Sequence, residues 1–202
     1  RAIMNIVTSA FGNAGQKCSA CSLLLVERSV YEDENFRSKL KDAATSLKTG
    51  SVWNAGNIVG PMITNKNDKL LQAFNLEPGE SWLVPPRFID RREYILAPTV
   101  KWGVKPESFS FRTELFGPLL SVACIENLEE GIRLVNGLDY GLTSGLQSLD
   151  EKEQKLWKNS VMAGNLYINR GITGAIVNRQ PFGGMKLSAF GGGIKAGGPN
   201  YC

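Results

Sequence analysis

The chain has 202 residues, 43% of them hydrophobic and 21% charged, which suits one full hydrophobic core and excludes a disordered polymer. Its net charge of +4 is spread among acids, as in Glu32-Asp33-Glu34, Arg91-Arg92-Glu93 and Lys152-Glu153, with no basic stripe of the kind nucleic-acid binding needs. Four cysteines and no histidine exclude a disulfide scaffold, a Cys-His dyad, a Ser-His-Asp triad and a His-containing zinc site, and they point to a reducing, cytoplasmic setting. No apolar stretch approaches the roughly 18 residues that span a bilayer, and no secretory leader is evident. The chain opens on Arg1 rather than Met and runs straight into a helical pattern, so a fragment of a longer protein is expected.

Ile3, Ile6, Val7, Ala10 and Phe11 share one helical face, which predicts a helix from Arg1 to about Phe11. Gly12 and Gly15 end it and open a loop holding Cys18. The run from Cys21 to Val26 is nearly continuous in apolar residues, as in a strand buried on both faces. Phe36, Leu40, Ala43, Ala44 and Leu47 mark a second helix, closed by Gly50. From Ser51 to Arg92, Gly and Pro interrupt the pattern and leave room for a short helix near Asp68–Phe74 and a short strand near Trp82. Tyr94–Trp102 reads as a strand whose Pro98 implies an edge position or a bulge.

Leu119–Ile125 has the pattern of a buried strand. Asn127 with Glu130 predicts a capped helix stopping at Asn136-Gly137, and Leu142–Ser148 predicts a strand. Asp150 with Glu153 opens another helix, and Asn165–Asn169 is a last short strand. This alternation predicts an α/β fold: a parallel-dominated open sheet flanked by helices, with ligands at the carboxyl ends of its strands. The tail from Arg170 to Cys202 is rich in glycine and shows no secondary-structure pattern; its Ile172, Ile176, Phe182 and Phe190 suggest a packed loop. No repeat and no domain boundary is evident.

Three constellations carry chemistry. Cys18 stands on a short connection among small residues (Gly15, Ser19, Ala20), a setting in which a thiol can act as a nucleophile, although a lone cysteine is as readily structural. With Cys21 it forms a CxxC, for which a dithiol redox pair and half a zinc site are the alternatives; Cys21 reads better as a small apolar residue of the following strand. Glu114-Leu115-Phe116-Gly117-Pro118 places a carboxylate and a flat apolar ring ahead of a buried strand, where they suit a ribose, or equally a solvated Glu beside a core Phe. Ile172-Thr173-Gly174-Ala175 and Gln180-Pro181-Phe182-Gly183-Gly184 expose backbone N–H groups that can converge on an anion, unless the tail is simply flexible.

Taken together, these residues resemble the catalytic domain of the NAD(P)-dependent aldehyde dehydrogenases. Phe11…Gly15-Gln16-Lys17-Cys18 is similar to that family's nucleophile run and Glu114-Leu115-Phe116-Gly117-Pro118 to its cofactor-ribose motif. Tyr140-Gly141-Leu142-Thr143, Asn165-Leu166-Tyr167-Ile168-Asn169 and Pro181-Phe182-Gly183-Gly184-Met185-Lys186 follow in family order. Arg170-Gly171-Ile172-Thr173-Gly174-Ala175-Ile176-Val177 and Lys195-Ala196-Gly197-Gly198-Pro199-Asn200-Tyr201 most resemble the glutamate γ-semialdehyde (1-pyrroline-5-carboxylate) dehydrogenases of proline catabolism, which are sometimes fused behind a proline dehydrogenase.

The resemblance implies that residues 1–202 are a catalytic domain without its dinucleotide-binding domain. It implies Cys18 as nucleophile and oxyanion donor, Glu114 and Phe116 at the nicotinamide-ribose end of NAD (NADP left open), and Ser19, Gly174, Ala175 and Phe182 around the substrate. It implies as partners a small aldehyde, the chain's own N-terminal dinucleotide-binding domain and further copies in a homo-oligomer, with no nucleic acid, metal or membrane span. The general base is expected outside these residues, so the isolated chain is expected to be inactive. A dehydrogenase for another semialdehyde, such as succinate semialdehyde, and a non-catalytic structural or oligomerisation module are the alternative readings.

Overall fold

The structure, a computed structural model, describes residues 1–64, 66–176 and 179–190. It divides into two compact units, one spanning Ile3–Glu126 and one beginning at Asn127. In the first, α1 (Ala2–Phe11) buries Ile6, Val7, Ala10 and Phe11 and runs into a 3-10 turn, Gly12–Gly15. After it come β1 (Leu23–Glu27), α2 (Arg28–Tyr31) and α3 (Glu34–Ser46), the last capped by Asp33, whose carboxylate accepts from the Asn35 N–H. Next are α4 (Asp68–Gln72), β2 (Ser81–Val84), β3 (Phe88–Asp90), β4 (Ile95–Leu96), β5 (Thr99–Trp102), α5 (Phe109–Arg112) and β6 (Leu119–Ile125).

One sheet organises this unit, in the order β1-β6-β5-β2. Strands β1 and β5 run parallel to β6, while β2 is antiparallel to β5. The predicted parallel-dominated sheet is present, and β6 has the predicted bounds. Leu119, Leu120 and Val122 on β6 and Val100 on β5 meet Phe11, Leu40 and Leu96 in the core. Two strand expectations need correction. The first strand begins at Leu23, not Cys21, and Leu23–Leu25 are half-buried because β1 pairs on one side only. Pro98 does not sit inside a strand; it separates β4 from β5. The first ladder residue, Thr99, then donates its N–H to the Pro118 carbonyl, so β5 is an inner strand despite the proline.

An ion pair lies inside this unit. Lys101 Nζ on β5 is 2.9 Å from Glu80 Oε2 and also donates to the Asn75 carbonyl, with both side chains almost fully buried. Burial of two charges is tolerable because each neutralises the other and the ammonium finds a second acceptor.

The second unit contains α6 (Leu128–Asn136), β7 (Tyr140–Gly141), β8 (Thr143–Leu146), α7 (Glu151–Ser160), β9 (Asn165–Ile168) and β10 (Met185–Lys186). The Asn127 side chain accepts from the Glu130 N–H at 2.9 Å, and the Asp150 carboxylate accepts from the Lys152 N–H, so both predicted caps form. Strands β8 and β9 pair in parallel over a small core of Ile132, Trp157, Val161 and Ala163. The tail is not wholly irregular: β10 pairs antiparallel with β7. Lys186 explains why it stays there, because its Nζ donates to the Val135, Asn136 and Leu138 carbonyls and so closes the end of α6. The expectations placed on Val177, on the glycines of 191–198, on the segment Lys195–Tyr201 and on Cys202 lie outside the described residues.

Candidate active site

The Cys18 loop is built from backbone that few residues adopt. Asn13, Ala14 and Gly15 all have positive φ (56°, 53° and 67°), which throws the chain off the axis of α1. At Gly15 a side chain is barred by more than strain: a Cβ there would overlap the Gly117 carbonyl oxygen, with its carbon at 2.7 Å, and would lie 3.0 Å from the Ala10 oxygen. The Cys18 loop and the turn before β6 are therefore in direct backbone contact. Lys17–Ala20 then forms a tight turn closed by the Ala20 N–H on the Lys17 carbonyl. Cys18 sits on its tip and is exposed; Ser19 beside it is buried, at 7% exposure.

Gln16 ties this loop to two distant segments. Its Nε2 donates to the Phe116 carbonyl at 3.1 Å and its Oε1 accepts from the Ile63 N–H at 2.9 Å. Asn67 holds the same turn from the other side, donating to the Leu115 carbonyl at 2.7 Å while capping α4 through the Leu70 N–H. In that turn Phe116 has φ 47° and presents a ring in a residue that is 37% exposed. Glu114 is exposed, and among the described residues none of the ion pairs involves it. A carboxylate outside those ion pairs can accept from the two hydroxyls of a ribose, and an open aromatic face beside it can take a flat ring.

The loops that carry Cys18 and that carry Glu114 and Phe116 thus meet in one unit, but not where a parallel sheet usually binds. The loops that carry them run into the amino ends of β1 and β6, which pair in parallel with Leu23 opposite Ser121, instead of leaving their carboxyl ends. The left-handed residues that shape this site precede their strands, so the site does too.

The second thiol behaves differently from the first. Cys21 donates its N–H to the Ser9 carbonyl, and its Sγ lies 3.5 Å from the Leu23 carbonyl. Burial pushes its thiol up to about 12, the hydrogen bond to Leu23 offsetting only part of that. It stays protonated at neutral pH and is therefore not itself a nucleophile.

Gly174, Ala175 and Phe182 lie in the second unit: Gly174 and Phe182 half-buried, Ala175 exposed. Arg170 Nη2 donates to the Gly174 carbonyl at 3.1 Å, and Gln180 Nε2 donates to the Tyr167 hydroxyl at 3.1 Å. Sequence reasoning gave no role to Gln16, Asn67, Arg170 or Tyr167. Gln16 bonds residues 47 and 100 positions away, and no local spacing announces such a link.

Among the described residues no helix is long and apolar enough to cross a membrane. The chain is 34% identical over 202 residues to a 1-pyrroline-5-carboxylate dehydrogenase of Geobacillus kaustophilus, covering 99% of this chain and 38% of that protein. In structure it is similar to Proline Utilization A from Corynebacterium freiburgense, with a TM-score of 0.93 at 44% identity over 99% of this chain and 21% of that one. It is also similar to 1-pyrroline-5-carboxylate dehydrogenase from Thermus with bound NAD, with a TM-score of 0.84 at 33% identity over 93% of this chain and 36% of that one. These 202 residues therefore span well under half of each relative. The model of the aldehyde dehydrogenase family matches residues 1–202 from end to end, and the chain belongs to that family.

Proposed function

We propose that this chain carries the reactive thiol of an NAD-dependent dehydrogenase that oxidises glutamate γ-semialdehyde to glutamate in proline catabolism. The observation that carries this reading is the exposed Cys18 on a loop locked by Gln16 against the Glu114–Gly117 turn. The names of its relatives support the substrate, and the NAD-bound Thermus structure supports the cofactor.

In this proposal the Cys18 thiolate adds to the aldehyde carbon, and the developing oxyanion is met by the Cys18 N–H. The turn at Lys17–Ala20 closes through the Ala20 N–H and does not consume the Cys18 N–H for that purpose. A nicotinamide bound there would supply the hydride acceptor by which the Cys18 thiohemiacetal becomes a thioester. Glu114 and Phe116 would hold its nicotinamide-ribose end through carboxylate and ring. Water then cleaves the thioester, releasing glutamate and restoring the thiol. Ser19 and the amides of Gly174 and Ala175 serve the substrate's carboxylate, and Phe182 its aliphatic stem. The base for thiol and water, and the remaining cofactor contacts, are assigned to sequence outside residues 1–202.

The test compares kcat/KM for glutamate γ-semialdehyde and succinate semialdehyde in the full-length protein. Preference for the first is expected, and preference for the second overturns the substrate assignment. Full activity in Cys18→Ala would leave only the reading as a structural module.

A further inference from the structure

The proposed function leaves open what fixes the direction of the amides at Gly174 and Ala175, which sit in a loop without regular structure. The answer lies on β9 and just after it. Tyr167 is 3% exposed on β9, opposite Gly145 of β8. The Arg170 guanidinium lies over its ring, 5.2 Å from the centroid, within the range of a cation–π contact. From that platform Arg170 Nη2 donates to the Gly174 carbonyl at 3.1 Å. The Arg170 backbone is held in turn, its carbonyl accepting from Gln147 Nε2 at 3.1 Å. A Cβ at position 174 would come within 2.8 Å of the same Nη2, so the guanidinium can pack this closely only against glycine.

The consequence follows from peptide geometry. In a planar trans peptide the C=O of Gly174 and the N–H of Ala175 point in opposite directions. A guanidinium that holds the carbonyl on its own side turns the Ala175 N–H to the other. The same tyrosine acts a second time: its hydroxyl accepts from Gln180 Nε2 at 3.1 Å, two residues before Phe182. One buried ring thus governs both the amide loop and the segment carrying Phe182.

We infer that Arg170 and Tyr167 are positioning residues for substrates bearing a carboxylate, Arg170 aiming the Ala175 amide and Tyr167 anchoring both Arg170 and Gln180. This rests on the proposed role of Gly174 and Ala175. The guanidinium itself need not touch the substrate; a planar, stacked cation holds a carbonyl in place in a way a flexible ammonium does not.

The test is kinetic, in the full-length enzyme, with glutamate γ-semialdehyde and with pentanal, an aldehyde of similar length without the carboxylate. Loss of one aimed hydrogen bond to a charged group predicts that Arg170→Ala raises KM for the semialdehyde about 10-fold or more. Its kcat should stay within about 3-fold, and kcat/KM for pentanal should not change, the signature of lost binding without lost chemistry. Arg170→Lys should recover only part of the affinity. Tyr167→Phe keeps the ring under Arg170 and removes only the Gln180 bond, so it should act through the Phe182 segment and raise KM for both aldehydes by a smaller factor, about 3-fold. Arg170→Lys carries the test if Arg170→Ala folds poorly. Equal losses with both aldehydes in the Arg170 variants, or no loss with either, overturn the inference. A wild-type enzyme that does not prefer the acid aldehyde over pentanal overturns the proposed role of Gly174 and Ala175 as well, so the two failures are told apart.

Discussion

Replacing Gly15 by alanine tests the contact on which the site is built. At φ 67° an alanine is strained by about 1–2 kcal/mol. The larger effect is steric. The new methyl would stand 2.7 Å from the Gly117 carbonyl carbon and 3.0 Å from the Ala10 oxygen, all of it backbone that no rotamer change can move. Ordinary carbon contacts begin near 3.5 Å, so the Cys18 loop and the Gly117 turn must part by about 1 Å. A displacement of that size between reacting groups costs up to about 100-fold in rate. Thermal stability should fall by less than about 2 °C for each kcal/mol of strain, because the full-length protein exceeds the roughly 150–250 residues for which about 2–4 °C holds. The assay pairs steady-state kcat with a thermal melt of the full-length Gly15→Ala protein, and iodoacetamide labelling checks that Cys18 is still exposed. A variant that keeps kcat within about 3-fold of wild type refutes the claim that this backbone contact sets the site.

Other predictions concern the core and the second thiol. Lys101→Met strands the Glu80 carboxylate in the core, which should cost about 3–5 kcal/mol by urea unfolding. Adding Glu80→Leu should recover much of that loss, because the double variant leaves no buried charge. Cys21 should resist alkylation at pH 8, where a thiol titrating at about 12 is only about one part in ten thousand thiolate, while Cys18 reacts; peptide mapping separates the two. The same raised value sets a stability slope. The folded state keeps the Cys21 proton after the unfolded chain has lost it, so this contribution is complete below pH 9.0 and declines as pH climbs from there toward about 12. Cys21→Ala should flatten that alkaline decline in a denaturation series.

Much of the fold was legible because local signals and burial agreed. Leu119–Ile125 reads as a buried strand and is one, and Asn127 and Asp150 are capping residues that do cap. The misreadings have specific physical causes. The apolar run at Cys21–Val26 looks doubly buried, but pairing on one edge leaves Leu23–Leu25 half-covered, and whether a strand is at an edge is not written in its own residues. Lys101 belongs to no apolar pattern; Glu80, 21 residues earlier, and the Asn75 carbonyl make its burial tolerable. In the same way, the sequence pattern picks out Cys18 and Glu114 by chemistry. The residue that ties their loops together, Gln16, acts through the Phe116 carbonyl 100 positions away and leaves no periodic trace.

The central claim is that the Cys18 sulfur is the atom that takes up substrate. Full-length enzyme mixed with glutamate γ-semialdehyde and NAD, acid-quenched during turnover and digested, should yield the Cys18 peptide carrying a glutamyl thioester in mass spectra. The same treatment of Cys18→Ala should give no adduct and no NADH. An acyl group found on a different residue, or undiminished turnover in Cys18→Ala, would contradict the account.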